Sequence, residues 1–243
     1  MPNQVLKSDA TASDAFVRFN FPVDQTEVWV TFRLAMDTAA LTFYDGNNSG
    51  YLTILRQGDG SNAAAVFISG GPIWVLHPGA GGGSIAEPPV AGQWQTIEFH
   101  YINDGTTELY VNTVLAATHT SSNPGDVATL RMGQANVPTP DAAAIVYIDD
   151  VQVGTTQGGE DLFADDFETG DLSAWSATTG AVSVVDDPFP GLLSPEGVCI
   201  ALTADSLDPD PLWTRLDDPD GYNVASTWSI HRGRSSEMDK TGT

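Results

Sequence analysis

The chain has 243 residues, 41% of them hydrophobic, and its 32 acidic and nine basic side chains give a formal net charge of −23. This hydrophobic content is enough for a folded core and excludes wholesale disorder. A surface with so much negative charge repels phosphate groups, so nucleic acids and anionic membranes are poor partners.

Two further classes of protein are excluded by single features of the sequence. No apolar run approaches the ~20 residues that a membrane-spanning helix needs, and the N-terminus shows no basic and then apolar signal segment, so we expect no membrane insertion. Cys199 is the single cysteine, which excludes an intrachain disulfide framework and a zinc site built from cysteines.

Residues 16–153 alternate between short apolar runs and turns, which predicts β-strands. The runs AFVRFNF and EVWVTFRLAM are rich in β-branched and aromatic residues. The stretch LTFYDGNNSGYLTIL places six polar residues between two apolar runs, which predicts a β-hairpin with a six-residue tip. No stretch of ten or more residues has helical periodicity.

The clearest alternation lies in the stretch WQTIEFHYI. Ile97, Phe99 and Tyr101 point to one side of this predicted strand, whereas Glu98 and His100 point to the other. Regularly spaced short strands that are separated by Gly, Asn and Asp turns indicate a β-sandwich.

The composition becomes strongly acidic after this region, since residues 160–220 carry 15 acidic side chains and one basic side chain. The favoured interpretation is a sandwich at residues 1–156 followed by an acidic linker at 157–190. The alternative is that residues 161–175 supply an exchanged first strand to the sandwich. Residues 191–243 predict only two or three strands, which bury little apolar surface alone and so indicate a partial β domain.

The stretch GQWQTIEFHYINDGTTELYVNTVLAATHT and the later AAIVYIDDVQV resemble laminin-G-like, concanavalin A-like jelly rolls, which occur in many extracellular and virion proteins. The matching features are the strand-opening Trp94, the ELYV strand at Glu108–Val111 and the closing YIDDV strand at Tyr147–Val151. The resemblance covers about residues 5–155. It implies an all-β fold, a concanavalin A-like (laminin-G-like) antiparallel β-sandwich jelly roll.

The stretch DLFADDFETGDLSAW resembles the opening strand of related jelly rolls. In such proteins a structural Ca²⁺ often lies between this opening strand and the closing strand, since a hard cation is held by several oxygen atoms. The resemblance implies a calcium site at the matching carboxylates, which are Asp149, Asp150, Asp165, Asp166 and Glu168. The alternative is that these acidic residues stay in water and serve solubility.

Residues 211–243 resemble the N-terminal segment of tailed-phage minor tail proteins, through the runs WTRLDDPDGYNV and RGRSSEMD. The resemblance implies an assembly segment with Trp228, Arg232 and Arg234 as contact residues, because Arg side chains pair bidentately with carboxylates of other subunits. The alternative is that the two arginines balance the acidic residues that follow them on a turn.

The sequence offers no catalytic constellation, so we expect no enzyme. Glycan-cleaving jelly rolls need two carboxylates that project into one cleft, whereas the adjacent Asp149 and Asp150 point to opposite faces of a strand. Glu98 and His100 share a face, which is typical of a solvated sandwich surface. No hydrolase, metalloprotease or nucleotide-binding motif occurs in the sequence.

Sugar binding needs an aromatic platform beside polar side chains. Candidates lie at the predicted first hairpin and before the glycine-rich loop, and they are Tyr44, Asp45, Asn47, Tyr51, Trp74 and His77. A core position is the alternative for Trp74, and Trp29 and Trp94 are predicted to be core residues.

Together these features predict a non-catalytic structural protein of a virus particle, a minor tail or tail-tip component whose sandwich decorates the particle or binds host-surface glycans. The expected partners are other tail proteins, further copies of the chain and host glycans, and the expected location is the virion or otherwise the cell exterior. The alternative is a secreted or cell-surface carbohydrate-binding module of a halophilic or marine microbe. A glycan lyase or hydrolase is a third hypothesis.

Overall fold

A computed structural model of the chain describes residues 3–10, 13–45, 50–69, 73–77, 83–84, 89–120, 124–135 and 145–189. The chain divides into two units, residues 1–197 and residues 198–243, and all described residues belong to the first unit. The predicted partial domain at 191–243 therefore lies outside the described residues, together with its predicted assembly residues Trp228, Arg232 and Arg234.

The described residues form one helix, α1 (Thr38–Asp45), and 15 strands. In chain order the strands are β1 (Gln4–Asp9), β2 (Ala15–Gln25), β3 (Glu27–Met36), β4 (Gly50–Gln57), β5 (Asn62–Ser69), β6 (Ile73–His77), β7 (Gly83–Ser84), β8 (Gln95–Ile102), β9 (Thr106–Val111), β10 (Val114–Thr120), β11 (Val127–Ala135), β12 (Ile145–Gly154), β13 (Phe163–Asp165), β14 (Ala177–Thr179) and β15 (Ala181–Asp186).

The strands form two antiparallel sheets that pack on a shared core, which confirms the predicted all-β sandwich. Sheet A has the strand order β10–β9–β8–β3–β12–β1–β15, with β13 beside β12, and sheet B has the order β14–β2–β11–β4–β5–β6–β7. One side of β12 pairs with β3, and the other side pairs with β1 and β13.

The core is built from alternating residues of the strands. In β3, Val28, Val30 and Phe32 are buried in it, whereas Trp29 and Thr31 lie on the outer face of sheet A. The alternation predicted for β8 is confirmed, because its three predicted inward residues are all buried in the core. Burial stabilises the fold by about 1.5–3 kcal/mol for each large apolar side chain. The apolar residues of each strand therefore face the core, and the alternate residues lie on the outer faces.

The predicted hairpin at residues 41–55 is wrong in its first half, which belongs to the helix α1. Asp37 caps this helix, since its Oδ1 accepts a hydrogen bond from the backbone nitrogen of Ala40 at 2.8 Å. A strand would place Phe43 and Tyr44 on opposite faces, whereas the helix buries both. In the part of the chain that the structure describes, no helix is long and apolar enough to span a membrane.

The interpretation of residues 157–190 as an acidic linker is wrong for the part that the structure describes. In this stretch β13 pairs with β12, β14 with β2 and β15 with β1, so both sheets gain strands from the same chain. Phe163, Phe167 and Trp175 are buried in the core. The physical reason is that three large aromatic side chains stabilise the protein when they are buried, and a linker would leave them in water.

Candidate functional site

The predicted glycan-binding residues do not form one site. Tyr44 is fully buried, and its hydroxyl group donates a hydrogen bond to Oε1 of Gln134. Burial raises the pKa of the Tyr44 hydroxyl well above its usual value. A side chain with no exposed surface cannot contact a sugar, so the prediction for Tyr44 is wrong and this residue belongs to the core.

Tyr51 is the predicted sugar-binding residue that the structure places on an outer face. It is half-buried on sheet B, and its ring centroid lies 5.5 Å from that of Phe67 on the neighbouring strand. The other candidates stay predictions. The described residues do not include Asn47 or the side chains of Asp45, Trp74 and His77.

Two of the predicted calcium ligands lie on β12 and differ in exposure. Asp149 is buried, whereas Asp150 is exposed and has a positive φ of 49° at an irregularity of the sheet register. Oδ2 of Asp149 accepts a hydrogen bond from the side-chain amide of Asn3 at 3.1 Å. Nη1 of Arg33 lies 3.5 Å from Asp149 and 2.9 Å from Asp150. Burial, and then the charge of Asp150, raise the pKa of Asp149 to about 6.

The other three predicted ligands are held by local hydrogen bonds. Asp165 accepts one from Nε1 of Trp175 at 2.7 Å, Asp166 accepts one from the backbone of Glu168, and Glu168 accepts one from the backbone of Gln4. Among the described residues no group of three His, Cys, Asp or Glu side chains could hold a metal ion. The five carboxylates do not share one cation position in this arrangement, and the calcium site stays a prediction.

A groove of about 420 Å³ lies where β13 meets β12. Its polar lining is mostly acidic, includes three of the predicted calcium ligands, and consists of Asp150, Gln152, Glu160, Asp165, Asp166, Thr169 and Ser173. The side-chain amide of Gln152 donates a hydrogen bond to Glu160 at 3.0 Å, which fixes the loop after β12 beside the groove. Ionised carboxylates only accept hydrogen bonds, so this groove suits donors such as hydroxyl and ammonium groups.

The outer face of sheet A carries aromatic and acidic side chains next to this groove. We call this surface the Trp29 face, and it consists of Glu27, Trp29, Glu98, His100, Glu108 and Tyr110. Trp29 lies opposite His100 in the sheet register, and His100 lies opposite Glu108. The Trp29 face adjoins the groove because Gln152 of the groove lies opposite Thr31, and Thr31 lies opposite Glu98.

His100 is fixed in the middle of the Trp29 face. Its ring stacks on Trp29 with 3.8 Å between the centroids and 11° between the planes. Nε2 lies 3.0 Å from Oε1 of Glu27, and Nδ1 lies 3.1 Å from Oε2 of Glu108. Because ionised carboxylates only accept hydrogen bonds, both bonds form together when His100 carries a proton on each ring nitrogen. The interpretation of His100 as a residue of a solvated surface is wrong, since His100 is only 7% exposed.

Tyr110 and Glu98 complete this surface. The ring centroid of Tyr110 lies 6.0 Å from that of Trp29, and its hydroxyl group donates a hydrogen bond to Glu108 at 3.1 Å. Glu98 accepts a hydrogen bond from the side-chain amide of Gln157 at 3.1 Å. The result is an aromatic platform that is bordered by hydrogen-bond acceptors.

Trp29 is a candidate that the sequence interpretation missed. The predicted core position of Trp29 is wrong, because Trp29 is only partly buried and occupies the same alternate, outward-facing positions of β3 as Glu27 and Arg33. Trp94 is buried as predicted, and Cζ of Arg33 lies 5.0 Å from its ring centroid. The signal was present in the sequence, since Trp29 and both charged residues of EVWVTFRL occupy the same alternate positions.

No protein-family model and no curated protein sequence matches the chain, but solved structures match its fold. The native heptameric SAP-like pentraxin from Limulus polyphemus is 15% identical with a TM-score of 0.50, over 78% of this chain and 98% of the pentraxin. A sialidase is 15% identical with a TM-score of 0.47, over 63% of this chain and 15% of the sialidase. The ligand binding domain of botulinum neurotoxin serotype D, in complex with N-acetylneuraminic acid, is 14% identical with a TM-score of 0.44, over 63% of this chain and 39% of the neurotoxin chain.

At these identities the likeness shows a shared fold alone. The chain spans less than two thirds of the sialidase and of the neurotoxin domain, and nearly all of the pentraxin. With its two antiparallel sheets, the described part of the chain is a β-sandwich of the concanavalin A-like type.

Proposed function

We propose that the chain is a non-catalytic glycan-binding module and that a sugar rests on the Trp29 face. The observation that supports this most is the partly buried side chain of Trp29 on the outer face, whose ring stacks on His100. His100 is itself held between Glu27 and Glu108. The apolar face of a sugar ring packs on an aromatic side chain, and sugar hydroxyl groups donate hydrogen bonds to carboxylates. Both kinds of contact are available on this surface.

The charge of this surface selects among glycans. The Trp29 face and the adjoining groove together carry the carboxylates of Glu27, Glu98, Glu108, Asp150, Glu160, Asp165 and Asp166. A sugar acid would bring a further negative charge into this region, where like charges repel one another. We therefore expect neutral or amino sugars at the Trp29 face rather than sialylated or uronic acid glycans.

The same geometry favours binding over cleavage. A glycosidase uses one carboxylic acid as a proton donor and a second carboxylate as a base or nucleophile. Glu27 and Glu108 both bond to His100, and Glu98 bonds to Gln157, so these carboxylates hold the surface together. This arrangement supports a role in binding without turnover.

Replacing Trp29 with alanine in the full chain is expected to weaken glycan binding at least tenfold, which corresponds to about 1.4 kcal/mol. The reason is that the variant loses the ring on which the sugar packs. A glycan array identifies the best neutral glycan, and isothermal titration calorimetry then measures its Kd. Trp29→Phe keeps an aromatic ring beside His100 and is the matched control, which we expect to retain most of the affinity.

Two outcomes would contradict this proposal. One is a folded chain that binds no glycan on the array. The other is a glycan whose affinity is the same for the wild type and Trp29→Ala but falls in Tyr51→Ala, which would move the sugar site to sheet B.

We propose a finer role for this module from the sequence of residues 211–243, which lie outside the described part of the chain. Their resemblance to minor tail proteins supports a tail or tail-tip component of a virus particle, with other tail proteins and further copies of the chain as partners. The alternative is a secreted or cell-surface carbohydrate-binding module. Mass spectrometry distinguishes the two, because a virion component is present in purified particles and a secreted module is found in the medium without them.

A further inference from the structure

Three arginines lie together on the outer face of sheet B. Arg18 of β2 lies directly opposite Arg131 of β11, and Arg56 of β4 lies opposite Thr129, two residues along β11. Residues that are opposite one another in antiparallel strands share a face, with Cβ atoms about 4.5–5.5 Å apart. We call the surface formed by Arg18, Arg56 and Arg131 the arginine face.

Among the described residues the arginine face makes no salt bridge, although the chain has 32 acidic side chains. The other two basic residues in the described ranges do have partners, since Lys7 lies 3.1 Å from Asp9 and Arg33 lies 2.9 Å from Asp150. Within those ranges no ion pair reaches the arginine face. Positive charge is therefore concentrated on one surface of a strongly acidic protein, where Asp14 acts on Arg131 and Asp59 interacts with Arg56 without forming a salt bridge.

The three arginines repel one another across the sheet. Burial, and then the charges of Arg56 and Arg18, lower the pKa of Arg131. The Nε atoms of all three arginines are buried and have no hydrogen-bond partner in the structure. Like charges directly opposite one another destabilise a sheet, so an anion that bonds to these guanidinium groups would stabilise the face.

Aromatic side chains border the arginine face. Cζ of Arg131 lies 4.7 Å from the ring centroid of Phe16, and the rings of Tyr51 and Phe67 form a pair on the adjacent strands. Phe16, Ile54 and Tyr51 belong to an apolar cluster that is separate from the main core. Guanidinium groups and apolar ring surfaces therefore lie side by side.

We propose that the arginine face is a second binding site, which takes an acidic glycan through its carboxylate or sulfate groups. Arg binds such oxyanions with two parallel hydrogen bonds. An acidic glycan also has apolar ring faces, which suit the aromatic border, whereas a free inorganic anion has none. This surface lies on the opposite sheet from the Trp29 face, so its ligand does not depend on the function proposed there.

The test is affinity electrophoresis of the full chain in native gels that contain dextran sulfate, polygalacturonate or neutral dextran. We expect retardation by at least one of the two acidic polymers and none by dextran, and the two acidic gels distinguish sulfate from carboxylate as the recognised group. Arg131→Gln is expected to weaken this binding about tenfold or more, because charge-assisted hydrogen bonds are lost. Lys7→Gln also removes one positive charge, but from sheet A, and is expected to bind like the wild type.

Equal mobility of the wild type in all three gels would overturn this assignment, and so would an equal loss of binding in Lys7→Gln and Arg131→Gln. Sedimentation at the same ionic strength tests for a protein partner. If the wild type self-associates and Arg131→Gln does not, carboxylates of a second copy occupy the face and the acidic glycan is excluded. If Arg131→Gln shows no cooperative melt, Arg18→Gln provides the same comparison. Each of these failures leaves binding of neutral glycans at the Trp29 face unaffected.

Discussion

Replacing Trp175 with alanine in the full chain is expected to lower the free energy of unfolding by about 3–5 kcal/mol. Trp175 is 6% exposed, and its ring centroid lies 4.8 Å from that of Phe163. The variant leaves a cavity and also removes the Nε1 donor from Asp165, a carboxylate whose pKa is raised by burial. Urea-induced unfolding followed by far-UV circular dichroism measures the change.

The matched control for this variant is Val114→Ala. Val114 is 67% exposed, so its truncation is expected to change the free energy of unfolding by no more than about 0.5 kcal/mol. An acidic linker at 157–190 would make the two variants behave alike. A difference between them of less than about 1 kcal/mol would therefore contradict the placement of this stretch in the sandwich.

Asp149→Asn is expected to stabilise the protein at pH 7.5, by at most about 3 kcal/mol, and to have little effect near pH 4. The pKa of Asp149 is about 6 in the folded chain, compared with about 3.9 in an unfolded chain. Between these values the folded state binds the proton more tightly, so this carboxyl group lowers the free energy of unfolding as the pH rises towards 6. Asparagine does not titrate, so the difference between variant and wild type develops over that interval.

Asp161→Asn is the control with the opposite sign. Hydrogen bonds from the backbone and hydroxyl group of Thr155 lower the pKa of Asp161. Its contribution to stability is therefore present above the unfolded pKa and is lost as the pH falls. Chemical unfolding at a series of pH values measures the free energy of unfolding of both variants. If the difference in this free energy between Asp149→Asn and the wild type is constant from pH 4 to pH 7.5, the pKa of Asp149 is not raised in the folded chain.

The all-β sandwich was predictable because β-strand alternation is a local signal. In β8 the inward residues Ile97, Phe99 and Tyr101 follow directly from the sequence. The helix α1 was not predictable in the same way, since its eight residues are too few to establish a helical period and its cap depends on Asp37.

The favoured interpretation placed the last three strands in a linker for a different reason, whereas the alternative assigned residues 161–175, which include β13, to the sandwich. β13 and β14 have three residues each, and β15 has six. Such short segments pair with β12, β2 and β1, of which two lie near the other end of the chain. Acidic and small residues dominate the local sequence, and the aromatic residues that bind the stretch to the core show their role only in the folded chain.

The candidate surfaces were only partly predictable from the sequence. Trp29 could have been placed on an outer face from the alternation of β3, whereas the two glutamates that bond to His100 come from different strands. Arg18, Arg56 and Arg131 are distant from one another in the sequence and meet only through the strand order of sheet B. Cross-strand register between distant segments is the information that a single sequence does not contain.

The Trp29 face and the arginine face carry opposite charge, and we propose that each binds a different class of glycan. The most direct measurement is ¹⁵N NMR of the full chain, which follows the indole N–H of Trp29 and the Nε–H groups of Arg18, Arg56 and Arg131 during titration. A neutral glycan selected on the array is predicted to shift the Trp29 signal and not the arginine signals, and polygalacturonate or dextran sulfate is predicted to do the reverse. Shifts of the same signals by both kinds of glycan, or of none of them, would contradict the claim.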